Sequence, residues 1–186
     1  ANSFLFFNFI KKYLYFTKYI IITHKLFLYN TLKMTQKFTI LFDLDGTLID
    51  TAPDLMNAHD YVMKKFGYET KSKELIKSLI GKGASTMISR SLWATAKKEM
   101  GDINEKKIKE KMVKEFIEFY GNNILIESKL ISGVENFLKW CKSKKISMGV
   151  CTNKQEHLAI DLLKKIGIND YFEYVAGYNT FDYCKP

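Results

Sequence analysis

The stretch that most constrains this chain is Phe38-Thr39-Ile40-Leu41-Phe42-Asp43-Leu44-Asp45-Gly46-Thr47-Leu48. Its first five residues are apolar, β-branched or aromatic for the most part, and they read as a buried strand. The run stops at two carboxylates one residue apart. In open α/β sheets ligands gather beyond the carboxyl ends of strands, so Asp43 and Asp45 stand where chemistry is done. Two acids at i and i+2 repel each other. A divalent cation that prefers hard oxygen ligands, Mg²⁺ first, is the expected compensation. Gly46 permits a tight turn and a close backbone approach to an anion, and Thr47 adds a hydroxyl to the loop.

Helical periodicity follows. Asp50 or Thr51 is placed to cap a helix over about 53–66, with Pro53 in its first turn and Gly67 closing it. Residues 68–130 show no convincing strand. A short amphipathic helix runs from Lys73 to Ile80, and the break Gly81-Lys82-Gly83 precedes a second helix through Met87–Trp93. A long charged helix from Asn104 to Tyr120 then carries Ile108, Met112, Val113, Phe116, Ile117 and Tyr120 on one face. Ser132-Gly133-Val134-Glu135 reads as a capping box, and Val134, Phe137, Leu138 and Cys141 form the stripe behind it. A second strand, Ile146–Cys151, runs into Thr152-Asn153-Lys154. A hydroxyl followed by the free N–H groups and positive dipole end of a helix suits phosphate. Asn153 with Glu156 is placed to cap that helix, whose buried side is Leu158, Ala159, Leu162, Leu163 and Ile166. Tyr171–Gly177 holds a third strand, and the chain closes on Asp182-Tyr183-Cys184-Lys185-Pro186.

Over 186 residues, 47% hydrophobic and 26% charged content is globular, not disordered, composition. The net charge of +9 does not require nucleic acid, because Lys11, Lys12, Lys18, Lys25 and Lys33, with no acid among residues 1–33, hold more than half of it. Cys141, Cys151 and Cys184 are odd in number and lack C-x-x-C spacing. They read as reduced cytoplasmic thiols, with Cys151 buried in its strand. Residues 1–33 admit three readings. A membrane span is interrupted by Lys11, Lys12, Lys18 and Lys25. A targeting peptide fits the basic, acid-poor character but wants more Ser, Ala and Arg. The bias toward Phe, Tyr, Ile, Asn and Lys matches translated AT-rich DNA, so Met34 is the expected start and 1–33 an extension outside the fold.

The string Asp-Leu-Asp-Gly-Thr-Leu resembles the nucleophile motif of the haloacid dehalogenase superfamily, and Asp50-Thr51-Ala52-Pro53-Asp54-Leu55 narrows the resemblance to its phosphoglycolate phosphatase-like branch. Thr152-Asn153-Lys154 matches the second motif, and Lys185-Pro186 the third. The resemblance implies an α/β fold: a Rossmann-like parallel-sheet core at 34–52 and 131–186, with a helical cap inserted at 53–130. It makes Asp43 the nucleophile, Asp45 the general acid and base, and Lys185 the balancing cation. Thr47, Thr152, Asn153 and the cap loop Gly81, Lys82 and Gly83 become substrate contacts, and Asp43 with Asp45 the Mg²⁺ ligands. The fourth, acidic motif and the last strands lie beyond the matched region, so the core is expected to be incomplete. The activity expected is hydrolysis of a small phosphorylated metabolite, phosphoglycolate first, in the cytoplasm. A β-phosphoglucomutase-like mutase and an inactive fragment that only binds are the alternatives.

Overall fold

A computed structural model describes residues 38–93, 103–182 and Lys185. Lys185 falls outside the compact unit that the other described residues form. The readings placed on residues 1–33 and on Cys184 lie outside the described residues. The account below concerns residues 38–182.

Strand β1 (Thr39–Phe42) is followed by β2 (Ile49–Asp50). Four helices come next: α1 (Ala52–Lys65), α2 (Lys73–Leu79), α3 (Ala84–Trp93) and α4 (Ile103–Asn122). The chain returns through β3 (Lys129–Leu130), α5 (Val134–Ser143), β4 (Ser147–Cys151), α6 (Glu156–Lys165), a 3₁₀ turn (Asn169–Tyr171) and β5 (Tyr174–Ala176). β1, β4 and β5 form a parallel sheet in the order β1-β4-β5. Parallel neighbours need crossovers, and the helices between them supply these. The register runs from Thr39↔Ser147 to Phe42↔Val150, so the residues leaving β1 and β4, Asp43 and Thr152, emerge at the same end of the sheet.

β1 departs from the buried strand that its composition suggests. Ile40 and Phe42 turn inward, while Leu41 is 45% exposed. Among the described residues β1 has a sheet neighbour on one side only, so it alternates as a half-covered strand does. Leu41 lies across bare Gly149 of β4, where a Cβ would meet its Cδ2 at 3.0 Å. β4, in the centre, buries Met148, Gly149 and Val150. On α5 and α6 the apolar stripes bury Leu138, Cys141, Leu158, Ala159, Leu162 and Leu163, as their spacing requires. Cys151 is half-buried, and Cys141 is buried.

The four-helix insertion leaves and rejoins the core at one place. β2 and β3 pair antiparallel there, Ile49↔Leu130 and Asp50↔Lys129. This two-residue ribbon escaped the sequence reading because it is too short to show a period. Asp54, in the first turn of α1, clamps the junction. Its buried carboxylate accepts the N–H groups of Ile126, Glu127 and Ser128 and the Ser128 hydroxyl. α1 closes at Gly67 (φ 77°), where the N–H groups of Gly67 and Tyr68 reach the carbonyls of Lys64 and Met63. α4 splits its expected apolar face: Met112, Phe116 and Tyr120 are buried, Val113 and Ile117 half-buried, and Ile108 is exposed.

Both expected caps in the second half are replaced. The residue before α5 is Gly133 (φ 87°), and no side chain caps the helix, so Ser132 turns outward and the capping box does not form. α6 starts after Gln155 without a local side-chain cap. Its Glu156 N–H is taken instead by Asn179 Oδ1 at 2.9 Å, from the loop after β5.

Candidate active site

The loop after β1 is pinned by two leucines. Leu44 and Leu48 are buried, and the Leu44 carbonyl accepts the N–H groups of Leu48 and Ile49. Gly46 (φ 76°) lets its own N–H reach the Ile49 carbonyl at 2.8 Å, a conformation that a side chain disfavours. With the leucines anchored, the residues between and before them, Asp43 and Asp45, are held at the sheet end.

Asp43 is half-buried, and its Oδ1 accepts the Leu44 N–H at 2.8 Å. Its Oδ2 lies toward the loop between α2 and α3: a Cβ at Gly81 (φ 80°) would stand 4.0 Å away. Asp45 is nearly buried. Its Oδ1 accepts the Thr51 hydroxyl at 2.7 Å and pairs with Lys154 Nζ at 3.1 Å. Thr51 therefore spends its hydroxyl on Asp45 and does not cap α1 with it. Oδ2 of Asp45 accepts nothing from the described residues. Since no buried side-chain oxygen there lacks a partner, Oδ2 is the oxygen that solvent or substrate reaches.

Lys154, the last residue of the Thr152-Asn153-Lys154 string, stands inside the cluster. It is buried, paired with Asp45, and hydrogen-bonded to the Tyr120 hydroxyl at 3.0 Å, with its ammonium 4.2 Å from the Tyr120 ring centroid. Burial works against its charge, but the Asp45 carboxylate and Tyr120 outweigh this and hold the ammonium above the ordinary lysine range. Burial pushes the Tyr120 hydroxyl upward, so it stays neutral, and its oxygen accepts from the Lys154 ammonium. The signal for Lys154 was its place directly behind Thr152-Asn153. The partner from α4 could not be read from spacing.

Thr152 is buried. Its Oγ1 accepts the Lys154 N–H at 3.2 Å, and its own N–H goes to the Ala176 carbonyl. Its hydroxyl proton remains to be donated. Asn153 does not cap α6; its Nδ2 donates to the Gly81 carbonyl at 3.0 Å. A Cβ at Gly83 (φ 83°) would stand 3.4 Å from the Asn153 carbonyl. Gly81 and Gly83 thus let the insertion's loop lie between Asp43 and the Thr152-Asn153 turn. The free helix N-terminus foreseen for α6 is partly consumed, since Asn179 takes the Glu156 N–H.

Two of the expected site residues, Thr47 and Lys82, stand apart from this cluster. Thr47 is exposed at the turn, its N–H bonded to the Leu44 carbonyl. Lys82 is exposed between its two glycines. Lys185 falls outside the unit that holds the cluster. For Mg²⁺ the fit is that of a sparse site. No group of three His, Cys, Asp or Glu side chains suited to a metal occurs among the described residues. The Asp45 side chain is committed at Oδ1 to Lys154. Asp43, with the Asp45 carbonyl, is the donor set left, and Mg²⁺ accepts one or two protein carboxylates when water and a phosphate complete its shell.

A family model described as haloacid dehalogenase-like hydrolase matches residues 40–186. The phosphoglycolate phosphatase of Nitrosococcus oceani is 33% identical over 153 residues, covering 82% of this chain and 66% of that protein. A crystal structure of a predicted phosphoglycolate phosphatase from Haemophilus somnus superposes with a TM-score of 0.73 at 29% identity, over 82% of this chain and 68% of that one. A β-phosphoglucomutase from Clostridium difficile superposes with a TM-score of 0.65 at 25% identity, over 79% and 64%. The chain spans about half to two thirds of the length of the curated relatives it matches, from 53% to 68%.

Proposed function

The chain belongs to the haloacid dehalogenase-like hydrolase family, and we propose that it carries the site of a Mg²⁺-dependent phosphatase for a small phosphomonoester, with phosphoglycolate the first substrate to test. The observation that carries this reading is the meeting of Asp43, Asp45, Thr152 and Lys154 at one sheet end under the Gly81–Gly83 loop. The names of its relatives point the same way.

Asp43 Oδ2 attacks phosphorus and the P–O bond to the leaving alcohol breaks, giving an aspartyl-phosphate that water then hydrolyses. Asp45, through Oδ2, exchanges the proton with the leaving oxygen and then with the water. The Lys154 ammonium holds Asp45 in place, and the Thr152 hydroxyl donates to a phosphoryl oxygen. Mg²⁺, which Asp43 and the Asp45 carbonyl would hold, would supply positive charge to offset the negative charge of the phosphoryl group. The Gly81–Gly83 loop, as part of a helical cap, excludes water above Asp43. A cytoplasmic setting belongs to the same reading, and the buried thiol of Cys141 fits it.

The test is phosphate release from phosphoglycolate with Mg²⁺ by the chain and by its Asp43→Asn variant. Release that the variant loses supports the reading; release that survives removes Asp43 from it. The structural likeness to a β-phosphoglucomutase favours one second reading, a mutase. Glucose 1-phosphate separates the two, by isomerised sugar phosphate against free phosphate.

A further inference from the structure

Beside the phosphate-handling cluster lies a cavity of about 510 Å³, lined by Ser85, Lys106, Lys109, Glu110, Val113, Lys114, Ile117 and Gln155. This is the size of a small-molecule site. None of its polar side chains has a hydrogen bond or ion pair among the described residues. Other lysines do find carboxylates, as in Lys65–Glu115, Lys139–Glu135 and Lys165–Asp161. The cavity's three lysines face one glutamate, so its field favours an anion. Its floor is Val113 and Ile117, two residues of the α4 stripe that lie half-buried beside Met112, Phe116 and Tyr120.

The groove adjoins the cluster at three points. Gln155 follows Lys154, Ser85 follows the Gly81–Gly83 loop, and Ile117 lies one turn of α4 before Tyr120, which bonds Lys154. At 1.5 Å per residue, Lys114 and Lys109 sit about 9 and about 16 Å along the helix from Tyr120, within reach of an extended lysine side chain and a chain of several carbons. We propose that this groove receives the far end of the substrate's alcohol portion, an apolar segment ending in a second anionic group held by Lys109 and Lys114. The proposal rests on the phosphatase reading and deepens it. It sets the preferred substrate apart from a two-carbon acid, whose carboxylate is too close to the phosphate to reach these lysines.

The test compares phosphoglycolate, hexyl phosphate and 6-phosphonooxyhexanoate as substrates. The intact chain should turn over the six-carbon acid with a kcat/KM about tenfold above hexyl phosphate, and also above phosphoglycolate. In a Lys109→Gln, Lys114→Gln double variant the ratio of acid to hexyl phosphate should collapse toward one, mainly through KM. Lys107→Gln, an exposed lysine that does not line the groove, should keep the ratio. A preference for phosphoglycolate, or a ratio that the double variant retains, overturns the proposal. A chain that releases phosphate from none of the three removes the phosphatase reading. Calorimetric binding of 6-phosphonooxyhexanoate to the Asp43→Asn chain then decides the groove by itself: binding lost with the two lysines supports it, and binding indifferent to them overturns it.

Discussion

Lys154 shows how much one side chain settles at this site. A buried carboxylate and a buried ammonium are tolerated together because each answers the other, and removing one partner leaves the other uncompensated. Lys154→Met should therefore cost about 3 kcal/mol or more in urea unfolding. It should also abolish phosphate release. Tyr120→Phe keeps the ring beneath the ammonium and removes only the hydroxyl contact, so about 1 kcal/mol is expected from it. The pH sign is clear. Lys154 is raised above 10.5 in the folded chain, so the stability it lends is complete below pH 10.5 and is lost only as pH rises through the higher folded value. Asp43 and Asp45 were legible in the sequence because a strand that halts at two acids has few explanations. Lys154 was legible only as a neighbour, since its role depends on Tyr120, distant in sequence and on another helix.

Elements hold these residues through contacts that local patterns do not announce. α6 begins without a side-chain cap of its own and is braced by the loop after β5. Asn179 takes the Glu156 N–H, Tyr178 N–H reaches the Lys154 carbonyl, and Thr180 bonds Glu156. Gly177 is what lets that loop come so near. A Cβ there would stand 2.3 Å from the Glu156 nitrogen and 2.7 Å from the Lys154 carbonyl oxygen, both backbone atoms unable to swing aside. Gly177→Ala should destabilise the fold by about 2–3 kcal/mol, read by thermal melting, and lower kcat by displacing Thr152 and Lys154. Asn179→Ala should cost about 1 kcal/mol, the usual loss of a helix cap. In the insertion, buried His59 joins α1 to α3, its Nε2 on Ser91 Oγ at 2.9 Å and its Nδ1 on Asp60 at 3.1 Å. Burial, aided by Lys71 and opposed by Asp60, lowers its pKa below 6.5. Unfolded chains then bind the proton more readily, so stability is full above pH 6.5 and falls as pH drops below it. Urea titrations at pH 7.5 and 5.5 should show that fall in the native chain and a smaller one in His59→Gln. Helical stripes on α1, α5 and α6 were readable from period alone. The caps of α5 and α6 were not, because Gly133 and Asn179 replaced the local side chains that the sequence offered.

Across the whole molecule, a parallel sheet brings two loops level and a helical insertion lies against both. The order of strand, helices, strand, helix, strand was legible, since each element is long or strongly patterned. The β2–β3 ribbon and the Asp54 clamp, which fasten the insertion at its root, were not, for one is two residues per strand and the other joins groups far apart in the chain. Asp54→Ala would strand three backbone N–H groups and should cost about 2–4 kcal/mol in urea unfolding. The most direct measurement of the central claim is covalent capture. The chain is mixed with Mg²⁺ and phosphoglycolate carrying ³²P, quenched in acid, and its protein-bound label counted. Label retained by the native chain, discharged by hydroxylamine and absent from Asp43→Asn is the predicted result. Phosphate released with no label ever bound, or label that persists in the variant, would contradict it.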